Sequence, residues 1–198
     1  MLSNDPLLPP DPIRPYVKPT PENTHGGKTY TPTHPGLFQV DFGPRDEGEY
    51  SSRLIACRDF SPGEIVASLD NASLANEKAY SSVQFGPGVG DHLELNSDLL
   101  FMNHSCSPNV MMDLTGQAEK WCVRALDKGV KKGEPLTFFY PSTEWDMAQG
   151  FECHCGASDC LKTITGAKSL SLAALERRGG LSEHIRMLKE RQLSSEGR

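Results

Sequence analysis

A chain of 198 residues, with 20 Lys and Arg against 26 Asp and Glu, has a net charge of -6 and enough length for one sizeable core. That balance argues against a nucleic-acid backbone as the main partner, which would want a basic face, and is compatible with a cationic substrate such as a lysine-bearing peptide. No apolar run approaches the ~18 residues of a membrane span and no signal peptide is visible at the start, so the expectation is a soluble intracellular protein, nuclear or cytoplasmic, without a membrane partner.

Residues 1 to 35 carry a proline every few positions and no apolar period, which predicts an extended N-terminal arm. From Leu37 the pattern becomes short apolar runs: LFQVDF, SRLIACRDF, EIVASL, AYSSVQF, HLELN, NVMMDL, KWCVRAL and PLTFFY. Each reads as a strand, and Ser61-Pro62-Gly63 marks a turn that would make the runs on either side neighbours. The stretches FGPGVGD, TGQ and DKGVKKGE supply further turns. The fold class this predicts is mostly β (α+β), a compact and irregular domain. Helical spacing emerges only at the end, predicting short C-terminal helices over 171 to 178 and 182 to 192, with Ser182 as N-cap of the second and Arg and Lys in its last turns.

In the expected compartment thiols stay reduced, so six cysteines argue for metal or chemistry before disulfides. Cys153, Cys155 and Cys160 fall in one short turn-rich segment, FECHCGASDC, where several thiolates can reach one ion. A structural Zn²⁺ wants four ligands, and the candidates for the fourth are Cys57, Cys106, Cys122 and His154. The backbone would have to double back to aim His154 inward between two ligands, so it is expected to point outward. Cys57 and Cys122 sit inside apolar runs and read as small core residues. Cys106 sits in a polar turn, where packing gives a thiol no reason to be, and is the predicted fourth ligand. Metal removal should then loosen the tail.

Three ordered stretches, NHSCSPN at 103 to 109, GEPLTFFY at 133 to 140 and FECHCGASDC at 151 to 160, resemble motifs of the SET-domain protein lysine methyltransferases. The likeness covers roughly residues 37 to 165 and implies a knotted SET-type β fold over residues 36 to 148, a post-SET zinc segment over 149 to 166, and helices and tail over 167 to 198. It also implies S-adenosylmethionine as methyl donor and a lysine of a histone or another protein as acceptor. By the same resemblance Tyr140 is the catalytic tyrosine, and Asn103, His104 and Phe151 bind the cofactor. Cys106 joins Cys153, Cys155 and Cys160 around zinc. Phe138 falls at the family's Phe/Tyr switch and suggests di- or trimethylation, whereas Phe139 reads as strand packing. Tyr80 either lines the substrate channel or packs within its strand.

The family's Gly-x-Gly turn is missing, since Ser51-Ser52-Arg53 stands in its place. Arg53 then either clamps the cofactor carboxylate or is an ordinary solvated arginine. Two other readings stay open, an enzyme of this fold acting on a small molecule and a non-catalytic zinc-stabilised binding module. His92 and His184 are expected at the surface, Trp121 and Trp145 in packing, and Glu144 and Asp146 in solvent.

Overall fold

The structure, a computed structural model, describes residues 15–24, 30–43 and 51–197. Its strands are β1 (Phe38–Asp41), β2 (Arg53–Ala56), β3 (Ile65–Ser68), β4 (Ser73–Leu74), β5 (Val83–Gln84), β6 (His92–Glu94), β7 (Asn103–His104), β8 (Val110–Asp113), β9 (Cys122–Ala125), β10 (Thr137–Phe138), β11 (Phe151–Glu152) and β12 (Thr163–Ile164). They form small sheets: β1 with β2, β3-β9-β8, β4-β6-β5, β7 with β10, and β11 with β12. Every predicted strand run contains an observed strand, and the fold is the SET-type, mostly-β architecture.

Alternation does the sorting. In β2, Leu54 and Ala56 turn inward while Arg53 and Ile55 are half-exposed, and in β8 Val110 and Met112 do the same. These side chains meet Phe60, Leu93, Leu99, Met102 and Leu136 in the main core. Fully burying one such side chain is worth about 1.5–3 kcal/mol. One expectation fails: β2 and β3 are not partners. The Ser61-Pro62-Gly63 turn forms, with Glu64 N–H donating to the Ser61 carbonyl, but Gly63 N–H donates to the Ala125 carbonyl. The turn is thereby docked on β9, so β3 pairs with β9 and β2 with β1.

Parallel pairing of β7 with β10 sets Asn103 opposite Thr137 and His104 opposite Phe138. Asn109 reinforces this joint, its carboxamide oxygen accepting from Thr137 N–H and its amide donating to the Pro135 carbonyl. The register brings the NHSC turn beside the strand that ends at Tyr140. Further on, β11 pairs antiparallel with β12, and Cys153 N–H donates to the Lys162 carbonyl, closing a loop that contains the last three cysteines.

The helices near the C-terminus are α2 (Leu172–Glu176) and α3 (Glu183–Glu196), one shorter and one longer than expected. Ser182 is the N-cap of α3 but its side chain makes no capping bond, and the helix's last turn carries no basic residue. Leu175 of α2 and Ile185 of α3 bury Phe139 and Ala167 in a second core. Phe139 is thus a packing residue.

Of the predicted arm, residues 1–14 and 25–29 lie outside the described residues. The rest is anchored and includes a helical turn, α1 (Pro21–Thr24). Tyr16 and Tyr30 hydroxyls and Thr33 N–H all donate to the Asp98 carboxylate, which is 0% exposed. A carboxylate so deeply buried needs several donors, and the arm supplies them.

Candidate active site and metal centre

Cys106, from the turn after β7, meets Cys153, Cys155 and Cys160 from the β11–β12 loop with all four Sγ atoms within 4.8 Å of one another. Sulfurs around a tetrahedral zinc lie about 3.8 Å apart at Zn–S distances of about 2.3 Å, so the set fits that ion after a small contraction. The donor chemistry fits as well. All four thiols are free, Cys106 N–H donates to Cys155 Sγ and Leu161 N–H to Cys106 Sγ, each at 3.4 Å. Burial would raise the Cys155 thiol, but the backbone N–H groups of Ala157 and Cys106, together with the Cys153 and Cys160 thiols, hold the pKa down to about 6. His154 points into solvent, Cys122 is buried in β9, and Cys57 is half-buried.

Beside this cluster stands an aromatic group. Tyr140 N–H donates to His104 Nδ1 at 3.2 Å, which leaves the ring proton on Nε2, 3.4 Å from Cys106 Sγ. Burial, and then the charge of Arg178, hold His104 down to a pKa of about 4, so the ring is neutral. His104 therefore ties the cysteine cluster to the Tyr140 backbone. The Tyr140 hydroxyl donates to the Met102 carbonyl at 2.9 Å. Burial, and then the charge of Glu144, raise that phenol well above its ordinary range and keep it protonated. Phe138 lies 4.7 Å and Phe151 6.1 Å from the Tyr140 ring, with Phe151 5.6 Å from His104.

Of the sequence-predicted residues, Asn103, His104, Phe138, Tyr140 and Phe151 converge here. Asn103 donates its amide to the Ser52 carbonyl at 2.8 Å, drawing the Ser51-Ser52-Arg53 turn against β7. Arg53 Nε donates to Asp41 across the β1–β2 pair at 2.8 Å, with the two side chains 43% and 39% exposed. Tyr80 stays apart. It is 67% exposed and accepts from Lys18 Nζ at 3.2 Å, so it packs in no strand core.

Sequence reasoning missed the polar layer under Tyr140. Glu144 is 8% exposed, and its Oε1 accepts from Gln84 N–H at 2.7 Å and from the Thr143 hydroxyl at 3.3 Å. Burial raises its pKa to about 7 despite those donors. Trp145 N–H donates in turn to Gln84 Oε1 at 2.9 Å. His184 and His92 are 4% and 3% exposed rather than on the surface. His184 Nε2 bonds the Thr143 carbonyl at 2.8 Å, and His92 Nδ1 lies 3.3 Å from the Ser82 hydroxyl. Only Asp146 of the expected solvated pair is exposed. The one sequence signal was position, since Thr143-Glu144 follows directly on Tyr140-Pro141-Ser142.

This fold, with a tyrosine anchored at the β7–β10 joint and a four-cysteine cluster behind it, defines a SET domain with a post-SET segment. The family model described as SET domain matches residues 51–141. Methyltransferase flvH of Aspergillus flavus is 39% identical over 158 residues, covering 79% of this chain and 83% of that protein. The H3 lysine-36 specific histone-lysine N-methyltransferase of Debaryomyces hansenii is 37% identical over 86 residues, which span 43% of this chain but 12% of that protein. Histone-lysine N-methyltransferase ash1 of Drosophila melanogaster is 32% identical over 88 residues, 41% of this chain and 4% of that protein. The chain belongs to the SET-domain methyltransferase family. Among the described residues no helix is long and apolar enough to cross a membrane.

Proposed function

We propose that the protein transfers methyl groups from S-adenosylmethionine to a lysine side-chain amine of a histone or another protein. The observation that carries this reading is the buried Tyr140 hydroxyl, held on the Met102 carbonyl within an enclosure of His104, Phe138 and Phe151. When bound, S-adenosylmethionine supplies an electrophilic methyl on a sulfonium. Asn103, His104 and Phe151 are the residues that would hold it, the first two on β7 and the third as an apolar wall.

Methyl transfer is a direct displacement, so the protein's task is to align a neutral amine and shield the reacting atoms from water. Tyr140 suits this because it remains a phenol: its oxygen keeps a lone pair for the substrate while its proton is committed to Met102. Phe138 beside it offers no hydroxyl and leaves room for an amine already methylated, which supports di- or trimethylation. Cys106, Cys153, Cys155 and Cys160 would hold one structural Zn²⁺, fixing the β11–β12 loop that carries Phe151.

A second reading, methylation of a small-molecule amine, is favoured by one contact. β5 is the edge of its sheet, and the Gln84 N–H there is taken by Glu144. An extended peptide adding to that edge would find the donor engaged.

The Tyr140→Phe variant tests the assignment. Transfer of a labelled methyl group to lysine peptides and alkylamines should fall by roughly 10²-fold, the usual loss on removing one placed polar group, with cofactor affinity kept. Unchanged turnover would remove Tyr140 from the chemistry.

A further inference from the structure

Arg178 follows α2 and its side chain is only 4% exposed. Burying a guanidinium is costly, and an unbranched apolar side chain such as Met would fill the space against Phe139 without that cost. Its Nε has no hydrogen-bond partner, so the charge is retained for what the other two nitrogens hold. Nη1 donates to the Ala174 carbonyl at 2.8 Å, which fixes the guanidinium to α2. Nη2 donates both to the carbonyl of Asp159 at 2.8 Å and to its carboxylate at 3.1 Å.

Asp159 leads directly into Cys160. Contacts to its main chain and its side chain together fix the orientation of that peptide, which the planar fork of an arginine can do and a point charge cannot. The same limb of the loop continues into the cluster, where Cys160 Sγ donates to the Cys153 carbonyl and Leu161 N–H to Cys106 Sγ, each at 3.4 Å. On its other side the guanidinium carbon lies 5.3 Å from the centre of the Phe139 ring, and that ring lies 5.5 Å from His104. One side chain thus touches both the loop of metal ligands and the strand end that carries Tyr140. Its platform is fixed as well: a Cβ on Gly180, at φ +68°, would come within 2.6 Å of Met111 Cβ, so the turn after Arg178 is seated against β8.

We propose that Arg178 is a positioning residue of the site: its fork holds Asp159, sets Cys160 among the four thiolates, and so fixes the β11–β12 loop that carries Phe151. The C-terminal helical segment, which lies beyond both the family match and the last cysteine, is thereby a working part of the site. The effect on the cluster stands on the geometry of Asp159 and Cys160, whereas the effect on turnover rests on the methyl-transfer function proposed above.

The test is Arg178→Met, which keeps the packing on Phe139 and loses the fork, set beside Leu175→Ala, which opens the same core without touching the loop. Zinc affinity of the full chain, measured by competition with a chromophoric chelator, should weaken about 10-fold to 100-fold in Arg178→Met and stay at the wild-type value in Leu175→Ala, even where the second variant melts lower. The visible bands of the Co²⁺-substituted protein, which report the geometry of the thiolates, should shift in the first variant alone. Asp159→Ala should weaken zinc roughly 3-fold in the wild type and have no effect in the Arg178→Met background. Wild-type zinc affinity in Arg178→Met, an equal loss in Leu175→Ala, or an Asp159→Ala effect of the same size in both backgrounds would overturn the proposal. Should Arg178→Met not fold, Asp159→Ala at its half-exposed position carries the test, and unchanged zinc affinity there would overturn it. In turnover, kcat/KM for the methyl donor should fall about 10-fold in Arg178→Met, carried by KM rather than kcat. The metal measurements need no methyl transfer, so weakened zinc without any turnover in the wild type would count against the methyltransferase reading and not against Arg178.

Discussion

The cysteine cluster and the polar layer beneath Tyr140 are built from equally ordinary residues, yet one is legible from the sequence and the other is not. The cluster obeys a local rule: three thiolates within one short loop, and a valence that demands a fourth. Cys106 could be chosen because a thiol in the polar NHSCSPN turn has no competing explanation, and its Sγ stands with those of Cys153, Cys155 and Cys160. The polar layer obeys no local rule. Glu144 looks solvated beside Trp145 and Asp146 until β5 folds over it and Gln84 donates into it. Burial of a polar group is a tertiary outcome, decided by which distant donor arrives, and a single sequence does not record that meeting.

The largest effect that would sharpen this contrast lies in the cluster. Replacing Cys153 by Ser should release about one zinc per chain, measured by elemental analysis, and expose the 151–165 segment to protease. The apparent binding free energy of structural zinc sites, about 10–16 kcal/mol at pH 7, is largely folding free energy, so the β11–β12 pair should loosen with the metal. Full zinc content in that variant would break the ligand assignment.

A smaller effect tests the polar layer. Burial holds the His184 pKa below its ordinary value against the opposing bond to the Thr143 carbonyl, so the folded protein resists protonation that the unfolded chain accepts below about 6.5. His184 therefore removes stability as pH falls below that point, by at most ~1.4 kcal/mol per pH unit. Glu144 works in the opposite sense, because its raised pKa makes the folded protein bind more protons than the unfolded chain as pH falls from about 7 toward the ordinary carboxylate range. The melting temperatures of the wild type and His184→Gln, compared from pH 7.5 to 5, should converge or cross on acidification. Parallel curves would mean that His184 titrates as an exposed histidine does.

The same division between local and tertiary information runs through the rest of the molecule. Strand positions were legible because two-residue alternation marks them, as at Leu54 and Ala56, but strand partners were not. The Ser61-Pro62-Gly63 turn reads as a hairpin, yet its docking on Ala125 and Arg124 hands the two flanking strands to different sheets. Arg53 was read toward a ligand or toward water, and the ion pair it makes with Asp41, its cross-strand partner on β1, was not foreseen. The arm shows the contrast most plainly, since Tyr16 and Tyr30 carry no apolar period and are held by Asp98, far along the chain. At the β7–β10 joint, the meeting of Asn103, His104 and Tyr140 was legible because their motifs are ordered in sequence. The strand-packing alternative for Tyr80 failed because its run looked like any other strand, while its ring is exposed.

Calorimetric titration of S-adenosylmethionine into the zinc-loaded wild type and the Tyr140→Phe variant tests the central claim most directly. The account predicts saturable, roughly one-to-one binding to both proteins, since Asn103, His104 and Phe151 are intact in each, with methyl transfer confined to the wild type. Absence of binding to the wild type at millimolar cofactor would contradict it, and would leave a zinc-stabilised SET scaffold with no methyl donor to use.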